Sequence, residues 1–430
     1  MTEALIGLGA LLVLAFLRIP IAFVMILVGY AGMAWVNNPV GALYNVGQTA
    51  FDAAINYELS VVPLFVLMGN FVARAGLAAE LYGASNAFLG HRKGGLAMAT
   101  VVACGGFSAI CGSSLATAAT MSKVAMPSMR RFGYDDSLAT GSIAAGGTLG
   151  ILIPPSVVLV IYGILTQQSI GKLFAAGIIP GVIGVLFYLA AVRYVTWRRP
   201  EAGPAGARQG WPERLRALSS VWGVLVLFAI VMGGIYGGVF SPTEAAGIGA
   251  FGAFLFALAR GALSWRVLRE ILEESVTTTA MLFTVLIGAL LFANFINFTD
   301  FPQELAGFAA RFADTPWLVV AAILVIYVLL GMVFESLSMI LLTVPIFFPL
   351  VTGLGYDPIW FGIVVVVVTE ISLITPPVGL NVFVLRGVLP DVKTGTIFAG
   401  VTPFWIADIA RLGLIVTVPA LSLWLASFVS

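Results

Sequence analysis

The chain carries the same helix-breaking pattern twice, in two apolar stretches 222 residues apart. Gly-Tyr-Asp at 133–135 is followed by Pro-Pro at 154–155, and Gly-Tyr-Asp at 355–357 is followed at the same interval by Pro-Pro at 376–377. Proline and glycine interrupt helices, because proline lacks an amide donor and glycine loses much backbone entropy on folding. A hydrophobic protein with an interrupted helix in each half is typical of a secondary transporter that binds its substrate between two repeats.

The composition requires lipid as the solvent. Of the 430 residues, 60% are hydrophobic and 10% are charged, and the mean hydropathy is +1.06, which a soluble protein could not cover with polar groups. The apolar runs are continuous, whereas barrel strands would alternate. The predicted class is therefore an all-α polytopic membrane protein, with about ten to twelve crossings or half-crossings. The net charge of +1 argues against a nucleic-acid partner.

Two repeats joined by a polar segment account for the order of the apolar runs. A first repeat at 1–197 and a second at 220–430 flank an Arg-, Pro- and Gly-rich linker at 198–219. Each repeat has a stretch with room for two half-depth helices, which predicts a re-entrant hairpin, and then an interrupted helix. We expect the hairpins at about 94–130 and 316–351, and the broken helices at about 137–167 and 357–388.

Charge in the loops predicts opposite orientations for the two repeats. Lys and Arg favour the cytoplasmic side of short loops. The first hairpin is flanked by basic residues and the linker is rich in arginine, whereas the second hairpin is flanked by Arg311 against Asp314 and Asp357. The first hairpin is therefore expected to enter from the cytoplasm and the second from outside, which is an inverted topology.

Polar residues at the breaks are candidates for ion binding. A helix broken at membrane depth frees carbonyls and amides that lipid cannot satisfy, so such breaks persist only around a ligand or an aqueous cavity. Carbonyls and hydroxyls are hard oxygens that suit Na⁺, and half-helix N-termini suit a carboxylate. The same residues could instead be packing contacts. The clusters are Ser108, Gly112, Ser113 and Ser114 facing residues 146–155, and Glu335, Ser336 and Ser338 facing residues 369–377.

Three charged residues near the spans have different interpretations. Glu244 follows Ser241 and Pro242 as a capping box, which predicts a helix start and not a ligand. Glu370 follows a run of valines within a span, so it is either a functional group or the cap of a half-helix. Arg386 lies beyond the second break and could attract an anion or extend to the membrane interface.

Motifs for catalysis and for ATP use are missing from the chain. His91 is the single histidine and lies in a basic loop, and there is no Gly-rich Lys loop for a nucleotide. The chain is therefore predicted not to be an enzyme, and an ion gradient must drive uphill movement. A channel and an intramembrane enzyme are alternatives, but the first lacks a continuous polar pore and the second lacks a base.

Four motifs resemble the large membrane subunit (M or DctM type) of tripartite ATP-independent periplasmic (TRAP) transporters. They are GGFSAICGSS at 105–114, GYD at 133–135, IPPS at 153–156 and TPPVGLN at 375–381. The resemblance covers essentially the whole chain. It implies a multi-pass permease of the bacterial inner membrane that imports an organic acid, such as a C4-dicarboxylate or a sialic acid, with Na⁺ by an elevator-type movement of a transport domain against a scaffold.

The resemblance also implies partners and ligands. The partners are a separate small four-helix membrane subunit (Q or DctQ type) and a periplasmic substrate-binding protein; the alternative is a stand-alone Na⁺/carboxylate symporter that needs no binding protein. Na⁺ is the expected coupling ion, with no organic cofactor. The first Na⁺ site would comprise Ser108, Ser113, Ser114, Gly147, Gly150 and Ile153. The second would comprise Glu335, Ser336, Ser338, Thr369, Ser372 and Thr375. Substrate would lie between the hairpin tips, facing Gly112, Pro154, Pro155, Pro376, Pro377 and Asn381.

Overall fold

A computed structural model describes residues 1–17, 19–312 and 314–429. The secondary structure of these residues is helical, with twenty-one α-helices, three short 3₁₀ helices and no β-strand among them. The all-α class predicted from the continuous apolar runs is confirmed.

Ten α-helices precede the central polar segment, residues 198–219. Helices α6 and α7 meet at a two-residue turn, and a non-helical stretch separates α8 from α9. The ten are α1 (Thr2–Phe16), α2 (Ile21–Val36), α3 (Pro39–Ile55), α4 (Val61–Arg74), α5 (Leu77–Leu89), α6 (Gly95–Cys111), α7 (Ser114–Arg131), α8 (Asp136–Thr148), α9 (Val157–Thr166) and α10 (Ile170–Arg198). The 3₁₀ helices are Glu58–Ser60, Leu149–Ile151 and Pro200–Ala202.

The remaining eleven α-helices begin with α11 inside this segment, and a hairpin and a broken helix occur again in the same order. Helices α16 and α17 form the hairpin, and α18 and α19 are separated by a break. The eleven are α11 (Trp211–Ser220), α12 (Trp222–Tyr236), α13 (Pro242–Ala259), α14 (Trp265–Asn297), α15 (Phe301–Ala310), α16 (Pro316–Gly331), α17 (Ser336–Gly353), α18 (Pro358–Ser372), α19 (Leu380–Val388), α20 (Thr394–Thr417) and α21 (Ala420–Ala426).

The helices fall into two length classes with respect to a bilayer. Five are long and apolar enough to cross it, and the bent pairs α3–α4 and α11–α12 raise this number to seven if each pair is one span. Six shorter apolar helices of 10–17 residues, including both α6 and α16, fall below the roughly 20 residues of a full crossing. The first hairpin contains the short helix α6, and the second pairs the short helix α16 with α17, which is one of the five helices long enough to cross.

Glycine allows the long helices to approach one another closely. A Cβ on Gly29 of α2 would lie 2.8 Å from the backbone of Leu291 in α14, and a Cβ on Gly288 would lie 2.6 Å from the carbonyl oxygen of Ala22. Both separations are below van der Waals contact. Small residues have this role in membranes because apolar side chains gain little by exchanging lipid for protein, so close backbone packing supplies the attraction.

The central polar segment, 198–219, is hydrogen-bonded to the loops that flank the first hairpin. The amide of Gly94 donates to the carbonyl of Gly203 at 2.8 Å, and the amide of Asp135 donates to the carbonyl of Ala202 at 3.0 Å. Its last residues belong to α11. The segment is thus folded against the base of the first hairpin.

The predicted capping box at the start of α13 is confirmed. The amide of Ser241 donates to Oε2 of Glu244 at 2.8 Å, and the amide of Glu244 donates to Oγ of Ser241 at 3.3 Å. Pro242 occupies the first helical position, where its missing N–H has no partner to lose. Glu244 therefore fixes the start of a helix.

Candidate functional site

The first hairpin tip consists of Gly112 and Ser113 between α6 and α7. Gly112 has a φ of +63°, in the left-handed region that favours glycine, and its amide donates to the carbonyl of Ser108 at 3.1 Å. Ser113 is the N-cap of α7, where its Oγ accepts a hydrogen bond from the amide of Ala116 at 3.4 Å. The tip is therefore also a helix N-terminus, whose amides and dipole attract negative charge.

The first broken helix interrupts its hydrogen-bond ladder beside this tip. Helix α8 ends at Thr148, a 3₁₀ turn follows, and the peptide bond between Pro154 and Pro155 is cis. Helix α9 resumes after Ser156, whose Oγ accepts from the amide of Leu159 at 3.2 Å. The residues between the two helices carry the backbone groups that regular helix would otherwise satisfy.

Two glycines bring the break into contact with the tip. A Cβ on Gly150 would lie 3.0 Å from the carbonyl oxygen of Ser113 and 3.2 Å from the amide nitrogen of Ser114. A Cβ on Gly147 would lie 3.2 Å from the carbonyl oxygen of Ser114. The structure thus brings together four residues of the candidate first site, and it places backbone oxygens of the tip against the broken helix.

Ser108 and Ile153 occupy the periphery of this cluster. Ser108 is fully buried, and its Oγ has no hydrogen-bond partner among the described residues. Leaving a buried hydroxyl unpaired costs about 1–3 kcal/mol of folding free energy. A ligand that bonds to this oxygen would recover that free energy. The side chain of Ile153 packs toward α10, where a Cβ on Gly181 would lie 2.8 Å from its Cγ1. Only the backbone of Ile153 could therefore contribute to an ion site.

Asn381 connects the first hairpin to the second broken helix. It is fully buried. The hydroxyl of Ser114 donates to its Oδ1 at 3.0 Å, and its Nδ2 donates to the carbonyl of Ala144 at 2.9 Å. Helices α7, α8 and α19 therefore meet at one side chain. The sequence-based expectation places Asn381 toward substrate, whereas in this conformation its amide bonds to Ser114 of the candidate first site and to Ala144 of α8.

Replacing Asn381 with Ala should lower the free energy of unfolding by about 1–3 kcal/mol. The change removes both hydrogen bonds that join α19 to α7 and α8, and it leaves the buried hydroxyl of Ser114 without its acceptor. The measurement is the melting temperature of the purified protein in detergent, with Asn297→Ala, an exposed asparagine, as the control. A melting temperature of Asn381→Ala equal to that of the unaltered protein would show that Asn381 does not hold these helices together.

Glu335 organises the second hairpin tip, residues 332–335. As the N-cap of α17, it accepts hydrogen bonds at Oε2 from the amides of Leu337 (3.2 Å) and Ser338 (3.3 Å). Its Oε1 accepts from the hydroxyl of Ser336 at 3.0 Å. The carboxylate is partly exposed and retains lone pairs. This tip therefore combines a negative charge with a helix start, whereas the first tip has only neutral groups.

Three hydroxyl groups of the second broken helix lie in the last turn of α18 or just after it. Thr369, Ser372 and Thr375 each donate to a carbonyl within the same segment, at 2.6 or 2.7 Å. Ser372 also packs against Gly331 of the second hairpin, where a Cβ would overlap its hydroxyl. Trp405 donates its indole N–H to the hydroxyl oxygen of Thr375 at 2.9 Å. The hydroxyls of Thr369 and Ser372 keep their lone pairs for another ligand.

The two breaks differ in exposure. The peptide bond between Pro376 and Pro377 is cis, like its counterpart in the first half. Pro154 and Pro155 are buried, whereas Pro376 and Pro377 are exposed. In this conformation the second break therefore reaches the protein surface and the first does not.

Glu370 belongs to a fully buried charge cluster between α10, α18 and α20. Its carboxylate pairs with the guanidinium of Arg411, and Nη2 of Arg411 lies 3.0 Å from Oδ1 of Asp408. The hydroxyl of Tyr188 donates to Oδ2 of Asp408 at 2.5 Å and lies 3.0 Å from the hydroxyl of Thr148. None of these side chains is exposed. Glu370 is thus an ion-pair partner in this conformation.

The sequence analysis missed Asp408 and Arg411. Two ionisable residues three positions apart in an apolar stretch were the available signal. Arg411 also depends on Gly184 of α10, because a Cβ there would overlap its guanidinium. Arg386, by contrast, donates to the carbonyls of Pro390 and Val392, so it holds the loop after α19.

Residues 8–421 match the family described as the tripartite ATP-independent periplasmic transporter, DctM component. The chain belongs to the DctM family. The resemblance seen in the four sequence motifs is confirmed. This DctM protein is a transporter permease subunit of the inner membrane and not an enzyme.

Curated relatives of this DctM chain carry different substrate names. The C4-dicarboxylate TRAP transporter large permease protein DctM of Pseudomonas aeruginosa is 38% identical over 380 residues and aligns over 88% of each chain. The sialic acid TRAP transporter large permease protein SiaM of Vibrio cholerae is 32% identical and aligns over 96% of each. The 2,3-diketo-L-gulonate large permease protein YiaN of Escherichia coli is 31% identical and aligns over 97% of each.

Solved structures share the fold of the DctM chain at low sequence identity. The YdaH transporter of Alcanivorax borkumensis superimposes with a TM-score of 0.60 at 17% identity, covering 90% of this chain and 89% of that one. MtrF of Neisseria gonorrhoeae superimposes with a TM-score of 0.56 at 15% identity, covering 90% and 85%. At this identity the likeness concerns the fold alone.

Proposed function

We propose that this DctM-family chain is the permease subunit of a Na⁺-coupled symporter that imports an organic acid. The observation that carries the proposal is the contact between the first hairpin tip and the first broken helix. Gly147 and Gly150 admit the backbone of Ser113 and Ser114 so closely that the carbonyl oxygens of the tip lie against the break, with no charged residue among these four. Neutral oxygens at a helix break suit a monovalent cation.

Two Na⁺ sites account for the polar groups at the hairpins. The first uses oxygens of Ser113, Ser114 and the break, with the unpaired hydroxyl of Ser108 one turn away. The second uses the carboxylate of Glu335 and the hydroxyls of Ser336, Thr369 and Ser372. The negative charge of Glu335 balances one cation, whereas the charge-free first site binds its ion against the carboxylate of the substrate.

The proposed substrate is a carboxylate such as a C4-dicarboxylate or a sialic acid. Several relatives named for C4-dicarboxylate transport align with most of this chain. The start of α7 at the first tip supplies amides for a carboxylate, whereas the amides at the start of α17 are already bonded to Glu335. Carrying a dianion inward against the membrane potential costs about 2.3 kcal/mol per charge per 100 mV. With more than two Na⁺ per dianion, net positive charge moves inward, so the membrane potential would assist uptake.

The proposed assembly and movement follow the tripartite family. A periplasmic binding protein would deliver the acid, and a separate small membrane subunit of the Q type would complete the permease. An isethionate permease of Oleidesulfovibrio alaskensis that is named DctMQ aligns with 89% of this chain, which in turn covers 60% of that protein. The two hairpin-and-break units, in opposite orientations predicted from loop charge, would form the moving part of an elevator.

Ser113→Ala and Ser336→Ala should each lower the apparent Na⁺ affinity of uptake roughly tenfold, with protein levels unchanged. Each loses an oxygen at a proposed site, while the cap of Ser113, at 3.4 Å, contributes about 1 kcal/mol or less to helix stability. Uptake is measured across a Na⁺ series in reconstituted vesicles, with Ser427→Ala, an exposed serine, as the control. Unchanged Na⁺ affinity in both variants would show that the tips serve packing only.

A further inference from the structure

A groove lies beside α10 near its last turn, between α8 and α20. Its volume is about 720 Å³. Helices α8 and α20 touch next to it at Gly141 and Gly400, where a Cβ on either glycine would overlap backbone atoms of the other helix. The groove wall is apolar over most of its length. Its apolar lining comprises Leu138, Val195, Ala399, Pro403 and Ile406.

The mouth of the groove is basic. Arg198 and Arg199 line it, and none of the described residues that line the groove is acidic. Both arginines are exposed, and neither forms an ion pair within residues 1–17, 19–312 and 314–429. The guanidinium of Arg198 lies 5.5 Å from the ring centre of Tyr194 and 5.7 Å from that of Trp197. The two charges are thus free for an external anion.

Asp135, an acid beside this mouth, is already engaged. Hydrogen bonds from Ser137 lower the pKa of Asp135, and the positive charge of Arg199 lowers it further. The carboxylate of Asp135 caps α8 by accepting from the amide of Ser137 at 2.7 Å. Asp135 therefore stays ionised as a helix cap and does not form a salt bridge with Arg199.

The aromatic residues beside the groove are typical of a membrane surface. Tyr194 and Trp197 are 52% and 68% exposed, and exposed Tyr and Trp are enriched at the headgroup level of a bilayer. A second groove of about 570 Å³ lies on the other side of α10; Arg92, Lys93 and Arg193 line it, and none of its described lining residues is acidic. The end of α10 therefore presents positive charge above an apolar wall on two sides.

We propose that the groove between α8, α10 and α20 binds an anionic phospholipid of the inner leaflet. The phosphodiester would lie against Arg198 and Arg199, and an acyl chain would lie along Leu138, Val195 and Ile406. Basic pockets between helices on the cytoplasmic side recognise acidic headgroups in this way. Inorganic phosphate shares the charge but could not use the apolar wall, so a lipid is the better match.

Native mass spectrometry of the purified full-length chain tests the proposal. The chain is equilibrated in detergent with phosphatidylglycerol or phosphatidylethanolamine of identical acyl chains. We expect preferential retention of phosphatidylglycerol, and a roughly 30-fold weaker retention in the double variant Arg198→Gln/Arg199→Gln, because each arginine near an acidic lipid surface contributes about 1 kcal/mol. The double variant should keep its elution volume and its phosphatidylethanolamine adducts, which separates lost binding from misfolding.

A control variant and competing ligands show what occupies the groove. Arg266→Gln/Arg269→Gln removes two exposed arginines that pair with glutamates on α14 and should leave phosphatidylglycerol retention unchanged. Equal retention of the two lipids, or equal loss in both double variants, would overturn the proposal. Displacement of the lipid by millimolar inorganic phosphate would show that the arginines bind a free anion. Displacement by the purified small membrane subunit would show that the groove is a protein interface. Either result would also overturn the proposal.

Discussion

Replacing Arg411 with Met is expected to destabilise the protein by about 3–5 kcal/mol, since it leaves two buried carboxylates without their cation. Glu370 and Asp408 are both unexposed and share the guanidinium of Arg411. Neither can reach water without disrupting α10, α18 or α20. The expected result is a lower melting temperature of the purified protein in detergent and a smaller monodisperse fraction.

Compensating variants show whether charge is the cause. Adding Glu370→Gln and Asp408→Asn to Arg411→Met removes the unpaired carboxylates and should restore part of the lost stability, because a buried neutral amide costs less free energy than a buried unpaired charge. Arg266→Met is the matched control: its ion pair with Glu270 is 88% exposed on the arginine side, and such pairs contribute about 0–1 kcal/mol. An Arg411→Met variant that melts like the unaltered protein would contradict the claim that Arg411 stabilises the protein by pairing with the two buried carboxylates.

Replacing Gly150 with Ala is expected to lower Na⁺-driven uptake roughly 10- to 100-fold while leaving the protein folded. The new methyl group would lie 3.0–3.2 Å from backbone atoms of Ser113 and Ser114, so the first hairpin tip must move away from the break. Small displacements of liganding groups cost rates of this order. The backbone of Gly150 has no left-handed φ, so alanine itself fits the local conformation.

Uptake and melting temperature are measured together for Gly150→Ala. Gly83→Ala, at a helical glycine with no atom within 4 Å of its Cβ position, is the control and should transport normally. We expect the Gly150 variant to recover part of its rate at high Na⁺, since the defect lies in ion affinity. Full activity at limiting Na⁺ would show that the tip contact is irrelevant to transport.

Local chemistry made much of the fold predictable. The capping box of Ser241 and Glu244 needs only residues three positions apart, and the structure has it as expected. The continuous hydrophobic runs predicted an all-helical membrane protein, because a chain of this composition cannot cover its apolar surface with polar groups. Four of the residues expected at the first site, including Ser113 and Gly150, also lie together.

Contacts between distant helices were beyond the reach of the sequence. The 222-residue repeat relates equivalent positions of the two halves, but it does not say that Asn381 reaches across to Ser114. Glu370 was recognisable as an ionisable residue at depth, yet its partner Arg411 is on another helix and is accommodated by Gly184 on a third. Such pairings depend on tertiary packing, which no periodicity in one segment encodes.

The most direct test of the account is uptake of labelled organic acids into proteoliposomes under an imposed Na⁺ gradient. The chain is reconstituted alone, with a small membrane subunit, and with that subunit plus a periplasmic binding protein. We predict concentrative, electrogenic uptake only with all three components and inward Na⁺, and its loss when K⁺ replaces Na⁺. Uptake that is indifferent to this replacement would contradict Na⁺ coupling, and uptake by the chain alone would make it a stand-alone symporter.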